Sequence, residues 1–141
     1  MGIISEKDRE QLIKILKSIP NDVRIVMFTQ EFECEYCKIT RELIEEVSGL
    51  SDKISLEVHD FVKEADLAKN YGVDKIPAFA LLGDRDYGIR FYGAPAGYEF
   101  STLIEDIIDV SRRNPNLPEE VLSDLSKVDQ PVHIQVMISP S

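Results

Sequence analysis

The sequence predicts an α/β protein: a central mixed four-stranded β-sheet flanked by helices, with an extra C-terminal helix and strand. Three observations predict it. Apolar residues switch repeatedly between helical spacing and strand patterning along residues 1–113. Residues 23–29 form a near-continuous, β-branched apolar run, which suits a strand buried on both faces. Residues 78–82 and 89–92 flank Gly83–Asp84–Arg85–Asp86, and the three together read as a β-hairpin.

Each element follows from its residues. Ser5 with Asp8 is an N-cap pair, and Leu12, Ile13 and Leu16 share one face, so a helix runs from Ser5 to about Ser18. Pro20–Asn21–Asp22 breaks it and the strand 23–29 follows. After a polar loop, Ile39, Leu43, Ile44, Val47 and Leu50 fall at helical spacing, with Gly49 near the stop. Ile54, Leu56 and Val58 alternate with Ser55, Glu57 and His59, which is a strand. Ala65 to Tyr71 is a short helix closed by Gly72. The hairpin comes next. Phe100, Leu103, Ile104, Ile107 and Ile108 then mark an amphipathic helix whose last residues, Arg112 and Arg113, carry the charge a helix C-terminus favours. This βαβ unit, hairpin and closing helix make residues 1–113 a complete domain.

Residues 114–141 continue as linker, helix and strand. Asn114–Pro115–Asn116 is the linker, and Pro118 suits the first helical position. Val121, Leu122, Leu125 and Val128 give a short amphipathic helix, Asp129–Gln130–Pro131 breaks it, and 132–139 reads as a strand. This order echoes the start of the chain and is expected to be the opening of an internal repeat, an incomplete second unit.

Composition narrows the function classes. A chain of 141 residues with 43% hydrophobic and 30% charged residues can bury a core, so general disorder is not expected. Its 26 acidic against 16 basic residues give a net charge of -10, which repels phosphate backbones and anionic lipid surfaces. Neither a nucleic acid nor a membrane is therefore expected as a partner. No apolar run approaches the length of about 18 residues that a membrane-spanning helix needs. The start turns charged at Glu6, Lys7 and Asp8 and carries no secretory pattern, so a cytoplasmic location is expected. The charged fraction also fits a thermophile's ion-pair-rich surface.

The chemistry lies in the two cysteines. Cys34 and Cys37 follow a buried strand and open a helix, and such spacing places both side chains on one helical face. A disulfide between them is sterically accessible. A cysteine at the helix N-terminus faces unpaired N–H groups and the positive end of the dipole, which favour the thiolate, the attacking species in disulfide exchange. Cys37, one turn in, is expected to be more buried and to act as the resolving thiol. Glu31, Glu33 and Glu35 oppose ionisation, and the ranking of the two effects stays open. Zinc is not expected, because four ligands are needed and His59 and His133 lack partner spacing. Two inert core cysteines remain the other alternative. Tyr36 is expected to shape the surface around the pair. Ile76–Pro77 precedes a strand, and its spacing fits either a plain trans proline or a cis bond. His59 is expected to face solvent or a helix, and Asp60 to cap a loop.

The Cys-x-x-Cys after the first strand and the Ile–Pro about forty residues later together resemble the thioredoxin superfamily. Met1–Gly2–Ile3–Ile4–Ser5, Phe91–Tyr92–Gly93–Ala94–Pro95–Ala96–Gly97–Tyr98–Glu99–Phe100 and the helix 105–111 resemble, more narrowly, the protein disulfide oxidoreductases, or glutaredoxin-like proteins, of hyperthermophilic archaea and bacteria. The resemblance covers essentially the whole chain. It implies a thioredoxin-like fold in two tandem units, the first complete in 1–113 and the second opened by 114–141, with Ser139–Pro140–Ser141 just before an expected second motif. It implies Cys34 as nucleophile, Cys37 as resolving cysteine and Pro77 as a cis-proline facing them. Ile76, with Tyr36 nearby, is implied to bind an extended substrate segment by strand addition. Ile76–Pro77 departs from the Thr–Val–Pro of glutathione-using glutaredoxins, which argues against a glutathione site. The implied function is reduction or exchange of protein disulfides without a bound cofactor or metal, with recycling by a thioredoxin-reductase-like flavoprotein. Where the host is a hyperthermophile, cytosolic disulfides are the expected substrate pool. The alternative is a weakly active or inactive assembly module whose exposed strand 132–138 forms a homodimer with the same strand of another copy or docks onto the first unit's sheet.

Overall fold

The computed structural model describes residues 2–139, so Met1, Pro140 and Ser141, quoted above for the resemblance, lie outside the described residues. The elements are α1 (Glu6–Lys17), β1 (Val23–Thr29), α2 (Cys37–Ser48), β2 (Ile54–Asp60), α3 (Ala65–Asn70), β3 (Ala78–Leu82), β4 (Asp86–Tyr92), α4 (Tyr98–Arg112) and α5 (Glu119–Ser126). The strands form one mixed sheet in the order β2-β1-β3-β4. β1 runs parallel to β2, with Thr29 opposite Asp60, and antiparallel to β3, with Phe28 opposite Ala78. β3 pairs antiparallel with β4, Ala78 opposite Tyr92, with an irregularity between Leu81 and Leu82.

Alternation along the two central strands builds two cores. Val23, Ile25 and Met27 of β1 and Phe79 and Leu81 of β3 pack against Leu12 and Leu16 of α1, Ile44 and Val47 of α2, and Leu103, Ile104, Ile107 and Val110 of α4. Val26 and Phe28 of β1 and Ala78, Ala80 and Leu82 of β3 point the other way, toward Ala68 and Val73 beside α3. Both central strands are thus covered on both faces, as the apolar run of β1 implies.

The ends of elements are fixed locally. The Ser5 hydroxyl accepts the Asp8 N–H at 3.2 Å and caps α1. Gly72, at φ +71°, lets the chain turn out of α3 where a side chain would be strained. Ser111, fully buried near the end of α4, locks the α1–β1 turn: its hydroxyl donates to the Asn21 carbonyl at 2.6 Å and accepts the Asn21 N–H at 2.9 Å.

Two expectations about strand pairing and burial need correction. Residues 132–138 are not a strand: they are exposed throughout and pair with no sheet strand. The alternating apolar pattern is present, but a strand exists only through a ladder, and nothing in the described residues supplies one. The extra helix does form as α5, yet none of its residues is buried. Ile39, grouped with the apolar face of α2, is 46% exposed because it lies at the start of the helix, beside the disulfide loop.

Candidate redox site

The register brings the chemistry to one end of the sheet. β1 ends at Thr29 and leads into the loop holding Cys34. β3 is antiparallel to β1 and begins at Ala78, so Ile76–Pro77 enters the sheet at that same end. The last residues of β2, His59 and Asp60, and of β4, Tyr92, lie there too.

Cys34 and Cys37 form a disulfide with a Cα–Cα separation of 5.4 Å. Cys34 is partly exposed, whereas Cys37 is buried at 2% exposure. α2 begins only at Cys37, with Tyr36 as its N-cap residue. Cys34 therefore stands ahead of the helix rather than on its first turn, a correction to the expected placement. Its turn is shaped by Glu33 in the left-handed region at φ 54° and by the Gln30 side-chain amide, which donates to the Phe32 carbonyl. The buried Thr40 hydroxyl donates to the Tyr36 carbonyl at 2.6 Å and ties the second half of the loop to the helix. Tyr36 itself is 56% exposed beside the pair.

The surroundings are acidic at the surface and neutral below it. Glu31, Glu33 and Glu35 are exposed, and Lys38 leans toward Glu42 at 4.0 Å. Among the described residues the buried polar side chains are Thr29, Thr40 and Ser111, so no carboxylate is buried beneath the disulfide. His59 is held between Glu64, 3.0 Å from Nδ1, and Glu57, 3.4 Å from Nε2. It thus faces the start of α3. Asp60 caps the following loop by accepting the Val62 and Lys63 N–H groups at 3.0 and 2.9 Å. No group of three or more potential metal ligands occurs among the described residues.

The Ile76–Pro77 bond is cis. Pro77 is buried, and its carbonyl accepts the Gly93 N–H at 2.8 Å. Ile76 packs its side chain on the α3 core. Among the described residues its N–H and carbonyl have no backbone partner. The anchoring role of Gly93 escaped the sequence reading, where Gly93 served only as part of a resemblance. Its signal was positional: it follows the β4 residue opposite Ala78.

No family model matches the chain. It is 34% identical over 88 residues to a probable thioredoxin of Methanothermobacter marburgensis, covering 62% of this chain and 98% of that protein. It is 28% identical over 139 residues to an NADH dehydrogenase of Bacillus subtilis, covering 97% of this chain and 24% of that protein. It is 24% identical over 132 residues to the AhpF component of alkyl hydroperoxide reductase of Staphylococcus aureus, covering 93% of this chain and 23% of that protein. The chain thus spans about a quarter of the length of these two longer relatives. Among solved structures, a protein disulfide oxidoreductase from Aeropyrum pernix superposes with a TM-score of 0.78 at 25% identity, covering 87% of this chain and 54% of that one. An N-terminal domain of the alkyl hydroperoxide reductase AhpF from Enterococcus faecalis superposes equally well, with a TM-score of 0.78 at 25% identity over 86% of this chain and 59% of that one. A sheet that delivers a Cys-x-x-Cys disulfide and an Ile–Pro turn to one end, together with 34% identity over 98% of a probable thioredoxin, makes this chain a member of the thioredoxin family.

Proposed function

We propose that the chain is a thiol–disulfide oxidoreductase that reduces or exchanges protein disulfides. One observation carries the reading: a disulfide with one partly exposed and one buried cysteine sits at the end of β1, where the backbone of Ile76 is left unpaired. The difference in exposure between the two cysteines supports the following order of events. The Cys34 thiolate attacks a substrate disulfide, one substrate sulfur leaves as thiolate and takes a proton, and a mixed disulfide remains on Cys34. Cys37 then loses its proton and attacks the Cys34 sulfur. The second substrate thiolate departs, takes a proton, and Cys34–Cys37 is oxidised. Two electrons pass to the substrate in each cycle. The Cys37 proton passes to solvent or to the leaving thiolate.

Ile76 presents its N–H and carbonyl to an extended substrate segment, and Pro77 and Tyr36 border it. Main-chain pairing of this kind gives affinity with little sequence selectivity. The similarity to the AhpF component of alkyl hydroperoxide reductase supports a flavoprotein as the source of electrons that reopens the disulfide. Among the described residues no helix is long and apolar enough to cross a membrane. A cytoplasmic setting is part of the proposal.

The test is reduction of insulin disulfides with dithiothreitol as the electron source. Wild-type chain accelerates the reaction, and Cys34→Ser abolishes the acceleration. Equal rates with wild type, Cys34→Ser and no protein would refute the proposal. A second reading, self-association, draws on one observation. Val132, Ile134 and Val136 are 68%, 79% and 79% exposed along a segment that alternates apolar and polar residues and has no regular secondary structure. Such a segment offers an edge to a second copy. Sedimentation of the wild type as a dimer and of Ile134→Lys as a monomer would support a homodimer through 132–138. A wild-type monomer at high concentration would exclude it.

A further inference from the structure

The turn that presents Ile76 is held from outside the redox motif. Residues 71–77 connect α3 to β3, and β4 grips them at several points. The Arg90 Nε donates to the Tyr71 carbonyl at 2.9 Å, and the guanidinium lies over the Tyr71 ring, 5.6 Å from its centroid. That ring also approaches Phe28, at 5.8 Å between centroids. The Tyr92 hydroxyl reaches the Gly72 carbonyl at 3.4 Å, and the Lys75 ammonium sits 5.5 Å from the Tyr92 ring centroid. Arg90 is itself immobilised: its two terminal nitrogens donate to both carboxylate oxygens of Asp86 at 2.9 and 2.6 Å. A planar fork that fixes a carbonyl, an aromatic face and a carboxylate together is work lysine cannot do.

We infer that Arg90 is a positioning residue for substrate binding: locked by Asp86, it holds the Tyr71–Gly72 end of the α3–β3 turn so that the Ile76 backbone is preset to receive an extended polypeptide. The inference rests on the proposed oxidoreductase function and deepens it. Arg90 touches neither sulfur. It acts by removing conformational freedom that the substrate would otherwise have to restrict on binding, so its effect falls on affinity for polypeptide substrates. A small disulfide that makes no main-chain contacts bypasses the device.

The experiment measures steady-state reduction of insulin and, in parallel, the second-order reaction of the reduced chain with 5,5′-dithiobis(2-nitrobenzoate), for wild type, Arg90→Lys, Arg90→Met and Tyr92→Phe. The expected result is a KM for insulin raised about tenfold in Arg90→Met. Arg90→Lys should be little better, and Tyr92→Phe should show a smaller rise. Across all four proteins kcat and the small-disulfide rate constant should stay within about twofold. Tyr92→Phe, which keeps the ring and leaves Arg90 in place, covers the case in which an Arg90 variant does not fold. An unchanged KM in the folded variants overturns the inference while leaving the oxidoreductase reading intact. Equal losses on insulin and the small disulfide also overturn it, since they mark a general structural defect. A wild-type chain that reacts with neither disulfide removes the parent reading and the inference with it.

Discussion

β1 and residues 132–138 are written with the same kinds of residue and have opposite fates. The first reads Val-Arg-Ile-Val-Met-Phe-Thr and the second Val-His-Ile-Gln-Val-Met-Ile. β1 lies between two strands, and five of its residues beyond Val23 are buried. The second segment has no ladder and every residue in it is exposed. The difference lies in the neighbours: β2 and β3 satisfy the backbone of β1, and helices cover both faces. Strand propensity is the ability to fit a half-buried pleated surface, and without that surface it yields no strand. The contrast divides the molecule into a packed unit, through α4, and a segment beyond it whose residues gain nothing from folding against that unit.

The largest way to sharpen this contrast is a cavity in the packed unit. Phe79 is fully buried and stacks on Phe91 at 4.9 Å between ring centroids. Phe79→Ala is expected to cost about 3–5 kcal/mol in urea unfolding. Ser111→Ala comes next. It leaves the Asn21 N–H and carbonyl without their partner, and a loss of about 1–3 kcal/mol is expected, read as a shift of the urea midpoint at constant slope. Asp106 on α4 gives a smaller, pH-dependent effect of opposite sign. Burial first, then Asp109 and Glu105, raises its carboxyl pKa, so folding disfavours the charged form. Asp106→Asn should therefore stabilise at pH 7. The gain should shrink as pH falls and disappear below the unfolded carboxyl value of about 3.9. A gain independent of pH would contradict this cause. The smallest effect lies in the exposed segment: Val136→Ser should change stability by less than about 0.5 kcal/mol. A loss comparable to that of Ser111→Ala would break the division into packed and unpacked regions.

Much of the fold was legible in the sequence. The near-continuous apolar stretch at β1, the alternation of β2 and the spacing of α4 each carry a pattern that a packed sheet and helix impose. The cysteine pair was legible because Cys34 and Cys37 are the two cysteines of the sequence, three residues apart, whereas the cis bond at Pro77, one of seven prolines, was implied only by the family resemblance. The place of Cys34 ahead of α2 was not, since it depends on a turn set by Glu33 and Gln30 rather than on helical spacing. Arg90 was invisible for a related reason. A single arginine in a half-buried strand has no periodic signature, and its partner Tyr71 becomes meaningful only once β4 lies beside the α3–β3 turn. The strand at 132–138 was misread because a pattern announces what a segment could do with a partner, and the partner is not in the pattern.

The central claim is that Cys34 opens the substrate disulfide and Cys37 releases it. Trapping the intermediate tests this most directly. Reduced Cys37→Ser chain is mixed with a disulfide-bonded peptide, quenched with acid and mapped by mass spectrometry, beside a Cys34→Ser chain treated identically. The expected result is a mixed disulfide on Cys34 that accumulates in the first protein and is absent or far slower in the second. Adducts that form equally fast on Cys37 in the Cys34→Ser chain, or none in either protein, would contradict the claim.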